Sequence, residues 1–235
     1  SIIIFFGQRW DNRAGSSMPD ESSSGINSSG GNFKFSRIVS SPQYINSSNN
    51  PRSNSGFPNI SLANSQNVIL EGSDLMIRNN LNFESGHLIL NNRNAIIGVK
   101  GSITGYNETK YVVTGTGING GFLIRSTSGL PQPDIIFPLG TTVSSYTPAS
   151  VNYTGTGQDL KVRVFDNVYD KATFGTPDNV NFVTKTWNVA FSNLDPKANM
   201  VLNMQHNATE ESPLFAANRA KSFVSRYQSN IEKWD

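Results

Sequence analysis

Few side chains in this 235-residue sequence have the types and spacing that chemistry requires. The two histidines, His87 and His206, stand in Ser-Gly-His-Leu and Met-Gln-His-Asn, and neither has a serine or carboxylate partner at a motif spacing. Both are expected as turn or surface residues. A zinc centre needs three or four ligands, and two histidines without any cysteine do not supply them. A pair of carboxylates could cleave a polysaccharide. Glu71, Asp74 and Glu84 are dispersed, however, and Glu210-Glu211 falls in a turn-like stretch. Asp166, Asp170 and Asp178 border DNVYDKATFGTPDN, where calcium could be held by carboxylates and carbonyls, yet their spacing matches no tandem calcium loop. They are read as solvated loop acids. Aromatic faces stack on sugars. Trp187 lies in an alternating strand pattern and is assigned to the core, whereas Trp10 has polar neighbours and is the one weak candidate for a glycan-stacking platform. No catalytic, cofactor-binding or metal-ligating residue is assigned, and the expectation is a protein that is not an enzyme.

The elements that would position these residues are strands. Charged residues make up 15% of the chain, against about 25% in an average globular protein. Asn, Ser, Thr and Gly take their place, and these are the residues that close turns and tolerate positive φ. The net charge of +2 is spread without a basic run, so nucleic-acid binding, which needs clustered Lys and Arg, is not expected. The longest apolar run, SIIIFF at the start, is far below the roughly 20 residues of a membrane-spanning helix, so no membrane span is expected. The absence of cysteine excludes disulfides and thiolate metal sites. Neither a leader nor a sorting tail is recognisable, and both ends read as though cut from a longer chain.

Three regions can be distinguished. Residues 1–66 are expected as a loop-rich segment of uncertain structure, with one strand at NFKFSRIV (32–39) between two Ser/Gly/Asn-rich runs. In 67–109, apolar pairs recur every six or seven residues: Val68/Leu70, Leu75/Ile77, Leu81/Phe83, Leu88/Leu90 and Ala95/Ile97. Alternate side chains on short strands would face one core. Two architectures fit, a tight meander of hairpins or the rungs of a short β-solenoid; in the second, corner asparagines could bond to their neighbours above and below. Residues 110–235 are expected as an antiparallel β-sandwich. They begin with a hairpin at KYVVTGTGINGGFLIRST (110–127) and continue with strands at 159–169, 180–193, 198–207 and 222–227. Between them, Pro138 should close the strand of Ile135, Ile136 and Phe137 or lie at a sheet edge, because proline cannot donate to a ladder.

Five pieces in order carry a resemblance: the Asn/Gly-rich short strands, YVVTGTGINGGFLIRS, FPLGTTVSSYTPAS, KTWNVAF and EESPLFAANRAKSFVSRYQ. From about Asn67 onward the chain resembles a module of large secreted and cell-surface proteins of Bacteroidota. The resemblance implies export, often by type 9 secretion, and service in adhesins, filaments or surface layers, although no C-terminal sorting domain accompanies it. The expectation is therefore an all-β chain with a short β-solenoid-like or meander region followed by an antiparallel β-sandwich. Its expected role is that of a non-catalytic structural or adhesive module, secreted or at the cell surface, whose partners are neighbouring domains or copies of the same protein. A carbohydrate-binding module, with a glycan as partner, is the alternative.

Overall fold

The computed structural model describes residues 1–13, 31–47, 56–129, 131–193 and 195–235. The chain is all-β. Along its first half, successive strands alternate between two sheets. β1 (Ile2–Phe5) enters the first sheet and β2 (Arg9–Asn12) the second; β3 (Asn32–Phe35) and β4 (Gln43–Ser47) repeat the step, as do β5 (Phe57–Ala63) and β6 (Val68–Glu71), then β7 (Leu75–Ser85) and β8 (Leu88–Ile89). β9 (Ala95–Ile97) pairs with the start of β7, and β10 (Ser102–Thr104) with its second half. β11 (Val112–Val113) returns to the second sheet and β12 (Leu123–Ser126) to the first. β13 (Gln132–Phe137) leaves both, and β14 (Leu139–Gly140) completes the second sheet. The pairs β1-β3-β5-β7-β9-β12 and β2-β4-β6-β8-β11-β14 are parallel throughout.

Antiparallel pairing begins after this stack. β15 (Ala149–Thr154) joins β13, and β16 (Asp159–Asp166) joins β12. β17 (Tyr169–Lys171) and β18 (Phe174–Pro177) form a separate ribbon, and β19 (Lys185–Phe191) pairs with β16 at the far edge of the first sheet. β20 (Asn199–Met204) pairs with β15. A 3-10 turn (Ala208–Glu210), the helix α1 (Pro213–Ala217) and the small pair β21 (Tyr227–Gln228) and β22 (Lys233–Trp234) follow.

The sequence pattern explains the stacking. Register sets Phe33, Ile60, Leu81 and Ile103 in one inward column and Phe35, Leu62 and Phe83 in the next, and all seven are buried. Their outward neighbours fall into columns of their own, Asn32–Asn59–Asn80–Ser102 and Lys34–Ser61–Asn82–Thr104. A strand with period two buries one row and leaves the other for polar side chains. Amides join successive rungs. Gln43 donates to the carbonyls of Phe5 and Gly7, and Asn64 donates to Gln43 Oε1. Asp74 accepts from the backbone and side chain of Asn94, whose Oδ1 accepts from the Phe122 N–H. These bonds satisfy backbone and amide groups that the bends remove from the ladders. One continuous apolar core runs from Phe33 through both parallel sheets to Val164.

Several expectations are corrected. Pairing over 67–109 is parallel, whereas a hairpin meander would be antiparallel. Residues 1–66 carry all of β1–β5 rather than a single strand; the polar runs at 14–30 and 48–55, read as linker or surface loop, lie outside the described residues. Residues 110–127 are not a hairpin: β11 pairs with β8 and β14, and β12 with β9 and β16. The Gly-rich turn is local, but the partner of each strand is chosen by which apolar row it continues, so parallel stacking extends past the boundary expected at 110. Of residues 222–227 only Tyr227 enters a strand, β21; Phe223 and Val224 stand in solvent after α1. The strand ending at Phe137 and Pro138 forms as expected.

Candidate functional site

The ladder between β16 and β19 contains a break in chemistry. Along its core-facing row, Leu160 stands opposite Phe191, Val162 opposite Val189, and Val164 opposite Trp187. The next pair in the row is Asp166 opposite Lys185. Lys185 is the first residue of its strand and Asp166 the last of the other. The Lys185 side chain is only 7% exposed and that of Asp166 34%, and Nζ lies 2.5 Å from Asp166 Oδ1. Nζ also donates to Thr141 Oγ1 at 2.9 Å and lies 3.3 Å from Glu210 Oε1.

Glu210 enters from the 3-10 turn and is held from three sides. Its Oε1 accepts from the Ser145 hydroxyl, its Oε2 accepts from the Asn207 N–H at 2.9 Å, and its backbone carbonyl accepts from the Thr184 N–H and hydroxyl. The Thr184 contacts, 2.8 Å from the N–H and 3.0 Å from the hydroxyl, tie the start of β19 to this turn. Burial by itself would raise the Glu210 carboxyl, but the Ser145 and Asn207 hydrogen bonds and the Lys185 charge outweigh it and hold the group below the usual carboxylate range. Thr141 and Ser145 come from the turn after β14, and Thr141 Oγ1 donates to Ser145 Oγ at 3.3 Å. The same turn is clamped by Trp187, whose Nε1 donates to the Thr147 carbonyl, and by Tyr111, whose hydroxyl donates to the Thr142 carbonyl. Burial pushes the Tyr111 hydroxyl up to about 12. One amine, two carboxylates and two hydroxyls thus meet at the end of an apolar row. Such an arrangement can move a proton between nitrogen and oxygen, and it can hold an acyl carbon close to an amine.

Three of the sequence pieces that carried the resemblance converge here. FPLGTTVSSYTPAS supplies Thr141 and Ser145, KTWNVAF supplies Lys185, and EESPLFAANRAKSFVSRYQ supplies Glu210. Sequence reasoning assigned no role to Lys185, Thr141 or Ser145. The signal that could have found them was the alternation itself: two residues beyond Val164 and two before Trp187, the apolar row meets an acid and a lysine.

The other candidates are separated. Glu211 turns away from Glu210 to bond with His206 and Arg219, and the hydrogen bonds from Arg219 and His206 hold its carboxyl at about 2. His87 lies at the turn between β7 and β8, as expected, but is buried there; its Nδ1 lies 3.0 Å from Asn67 Oδ1, and its ring meets Tyr111 edge-on. Burial lowers its pKa and favours the neutral ring. Glu71 pairs with Arg9, Glu84 with Lys34, and Asp74 caps Asn94. Asp170 accepts from the Thr176 N–H, and Asp178 from the Val180 and Asn181 N–H groups, so with Asp166 they form three separate local contacts. Among the described residues, no three His, Asp or Glu side chains group closely enough to hold a metal ion.

Trp10 is not the free platform expected of it. Its indole packs within 5.3–6.4 Å of Phe5, Phe33, Phe35 and Phe57, and Nε1 donates to Asn12 Oδ1. The polar residues around it in sequence point outward while the alternating tryptophan points in. Compared with protein-family models, curated proteins and solved structures, the chain matches none.

Proposed function

We propose that this chain is a structural or adhesive module of a secreted or cell-surface bacterial protein, built as a β-solenoid that runs into an antiparallel sandwich and acting by association rather than by turnover of a substrate. The observation that carries the reading is the outer edge of the stack. Among the described residues, β1 and β2 are the end strands of the two parallel sheets. Ser1 and Phe5 direct their carbonyls to β3, so by alternation Ile2 and Ile4 present theirs, with their N–H groups, to the free side. Ile2, Ile3, Ile4 and Phe6 are exposed there. Among the described residues that side is apolar and has no strand beside it, and such an edge is a template for another strand. Rung upon rung is already the interface repeated along the molecule, and the occupant that continues it is a second copy of this chain. The motif order resembling Bacteroidota surface proteins supports the same setting. The carbohydrate-binding alternative loses its platform, because the Trp10 ring is engaged in the aromatic cluster.

Sedimentation of the purified chain over a range of concentrations tests the reading. Association is expected, and Ile2→Pro and Ile4→Pro, which remove outward donors, should weaken it while leaving the circular dichroism of the fold intact. A chain that stays monomeric, or associates equally well with both prolines, would overturn it.

A further inference from the structure

We propose that Lys185 and Asp166 are the partners of an intramolecular amide cross-link, formed by the folded chain itself with Glu210 as the proton relay. Three features support the pairing. Asp166 and Lys185 occupy directly opposed register positions on β16 and β19, so folding brings the two side chains together without a search. Their reacting groups touch, with Nζ and Oδ1 2.5 Å apart. The second carboxylate, Glu210, is 3.3 Å from the same Nζ and is aimed there by the Ser145 hydroxyl and the Asn207 N–H. Three apolar pairs precede the site on its row. An ion pair whose amine is buried at the end of such a row is weak as a source of stability, because desolvation of the amine offsets much of the attraction. Proximity and desolvation are instead what an amine needs to attack a neighbouring carboxyl group.

The step balances without a cofactor. The proton on Nζ passes to the Asp166 carboxylate, giving a neutral amine beside a neutral acid. The Nζ lone pair attacks Asp166 Cγ and forms the C–N bond. The Glu210 carboxylate takes a proton from nitrogen and delivers it to the departing hydroxyl, the C–O bond breaks, and water leaves. One positive and two negative charges become a neutral amide and the single charge of Glu210, so the net charge of the cluster is unchanged. Thr141 Oγ1, 2.9 Å from Nζ, helps hold the nitrogen in place. The product would staple β19, the edge strand of the first sheet, to β16. That serves a module under mechanical load, although the step does not depend on the association of copies through β1.

The intact mass of the purified chain under denaturing conditions is the test. The expected value lies about 18 Da, one water, below the sequence mass. Trypsin should then yield residues 164–171 joined through Asp166 to residues 172–197, uncut at Lys185. Lys185→Arg keeps the charge but should restore the full mass and the ordinary peptides, and Glu210→Gln should slow or abolish the loss of water. Asp166→Asn should give the same linked peptides with loss of ammonia. Circular dichroism of each variant separates a missing cross-link from a missing fold. A folded wild-type chain at full sequence mass after prolonged incubation would overturn the proposal. So would a mass deficit that maps to any other pair of residues or persists in Lys185→Arg.

Discussion

Glu210 and Glu211 are neighbours in sequence and face opposite environments. Glu210 points to Lys185 and Ser145, while Glu211 points the other way, to His206 and Arg219. The backbone between them is extended at Glu211, and an extended residue sends successive side chains to opposite sides. The pair therefore joins the interior cluster to the turn that carries α1.

Acid should loosen this turn through Glu211. Its carboxyl falls from an ordinary 4.5 to about 2 in the folded chain because Arg219 and His206 hydrogen-bond the ionised form. A depressed carboxylate stabilises the fold above its unfolded value, and that stabilisation is lost as pH falls through the folded value. Thermal melts from pH 6 to pH 2 should decline between about 4.5 and 2, and Glu211→Gln should flatten that part of the profile. An unchanged slope in the variant would place the acid sensitivity elsewhere.

The interior side of the pair should be less forgiving. Ser145→Ala removes the hydroxyl that hydrogen-bonds Glu210 Oε1 and leaves a buried, charged oxygen short of a donor. Loss of a hydrogen bond to a charged group costs about 1.5–3 kcal/mol. Urea unfolding should show that decrease with an unchanged m-value, whereas Ser144→Ala, on the exposed side of the same turn, should stay within about 0.5 kcal/mol of wild type.

The sequence made the inward rows legible and left the pairing hidden. Leu75, Ile77, Leu81 and Phe83 announce themselves by alternation, and all are buried. Alternation does not say which strand lies alongside, since a parallel rung and a hairpin arm have the same period. That is why 110–127 reads as a hairpin although Val112 and Val113 continue the row of Leu88 and Ile89. Short strands amid polar runs, such as Arg9–Asn12, are weak signals alone and become strands because residues 44–47 lie beside them. The candidate site was hidden for a related reason. Asp166, Lys185 and Glu210 are ordinary residues in three distant stretches, and only the register of β16 with β19 and the turn at Ala208–Glu210 bring them together.

Inward and outward columns should respond differently to truncation. Leu81 is buried between Ile60 and Ile103, whereas the adjacent Asn80 accepts hydrogen bonds from the exposed Ser102 and Thr104 hydroxyls. Leu81→Ala should cost about 2–5 kcal/mol through lost burial and the cavity left behind. Asn80→Ala should cost about 1 kcal/mol or less, the net worth of solvated hydrogen bonds. Equal costs in urea titrations would contradict the assigned register.

Gly86 offers the sharpest test of the corner geometry. Its φ is +73°, and a Cβ built on it would lie 2.0 Å from the Asn64 carbonyl oxygen. The left-handed conformation alone costs a residue with a side chain about 1–3 kcal/mol, and the clash adds to it because the obstructing atom is backbone. Asn64 cannot retreat freely, for its side chain bonds to Ser41 and Gln43 on the preceding rung. Gly86→Ala should therefore lower the melting temperature more than Gly117→Ala, where the Cβ would meet open space. Increased hydrogen exchange in the variant should centre on residues 64–68 and 87–88, the segments joined by the Val68 N–H to His87 carbonyl bond. A variant as stable as wild type would mean that the corner between β7 and β8 is not held in the left-handed conformation on which the stacking of the second sheet depends.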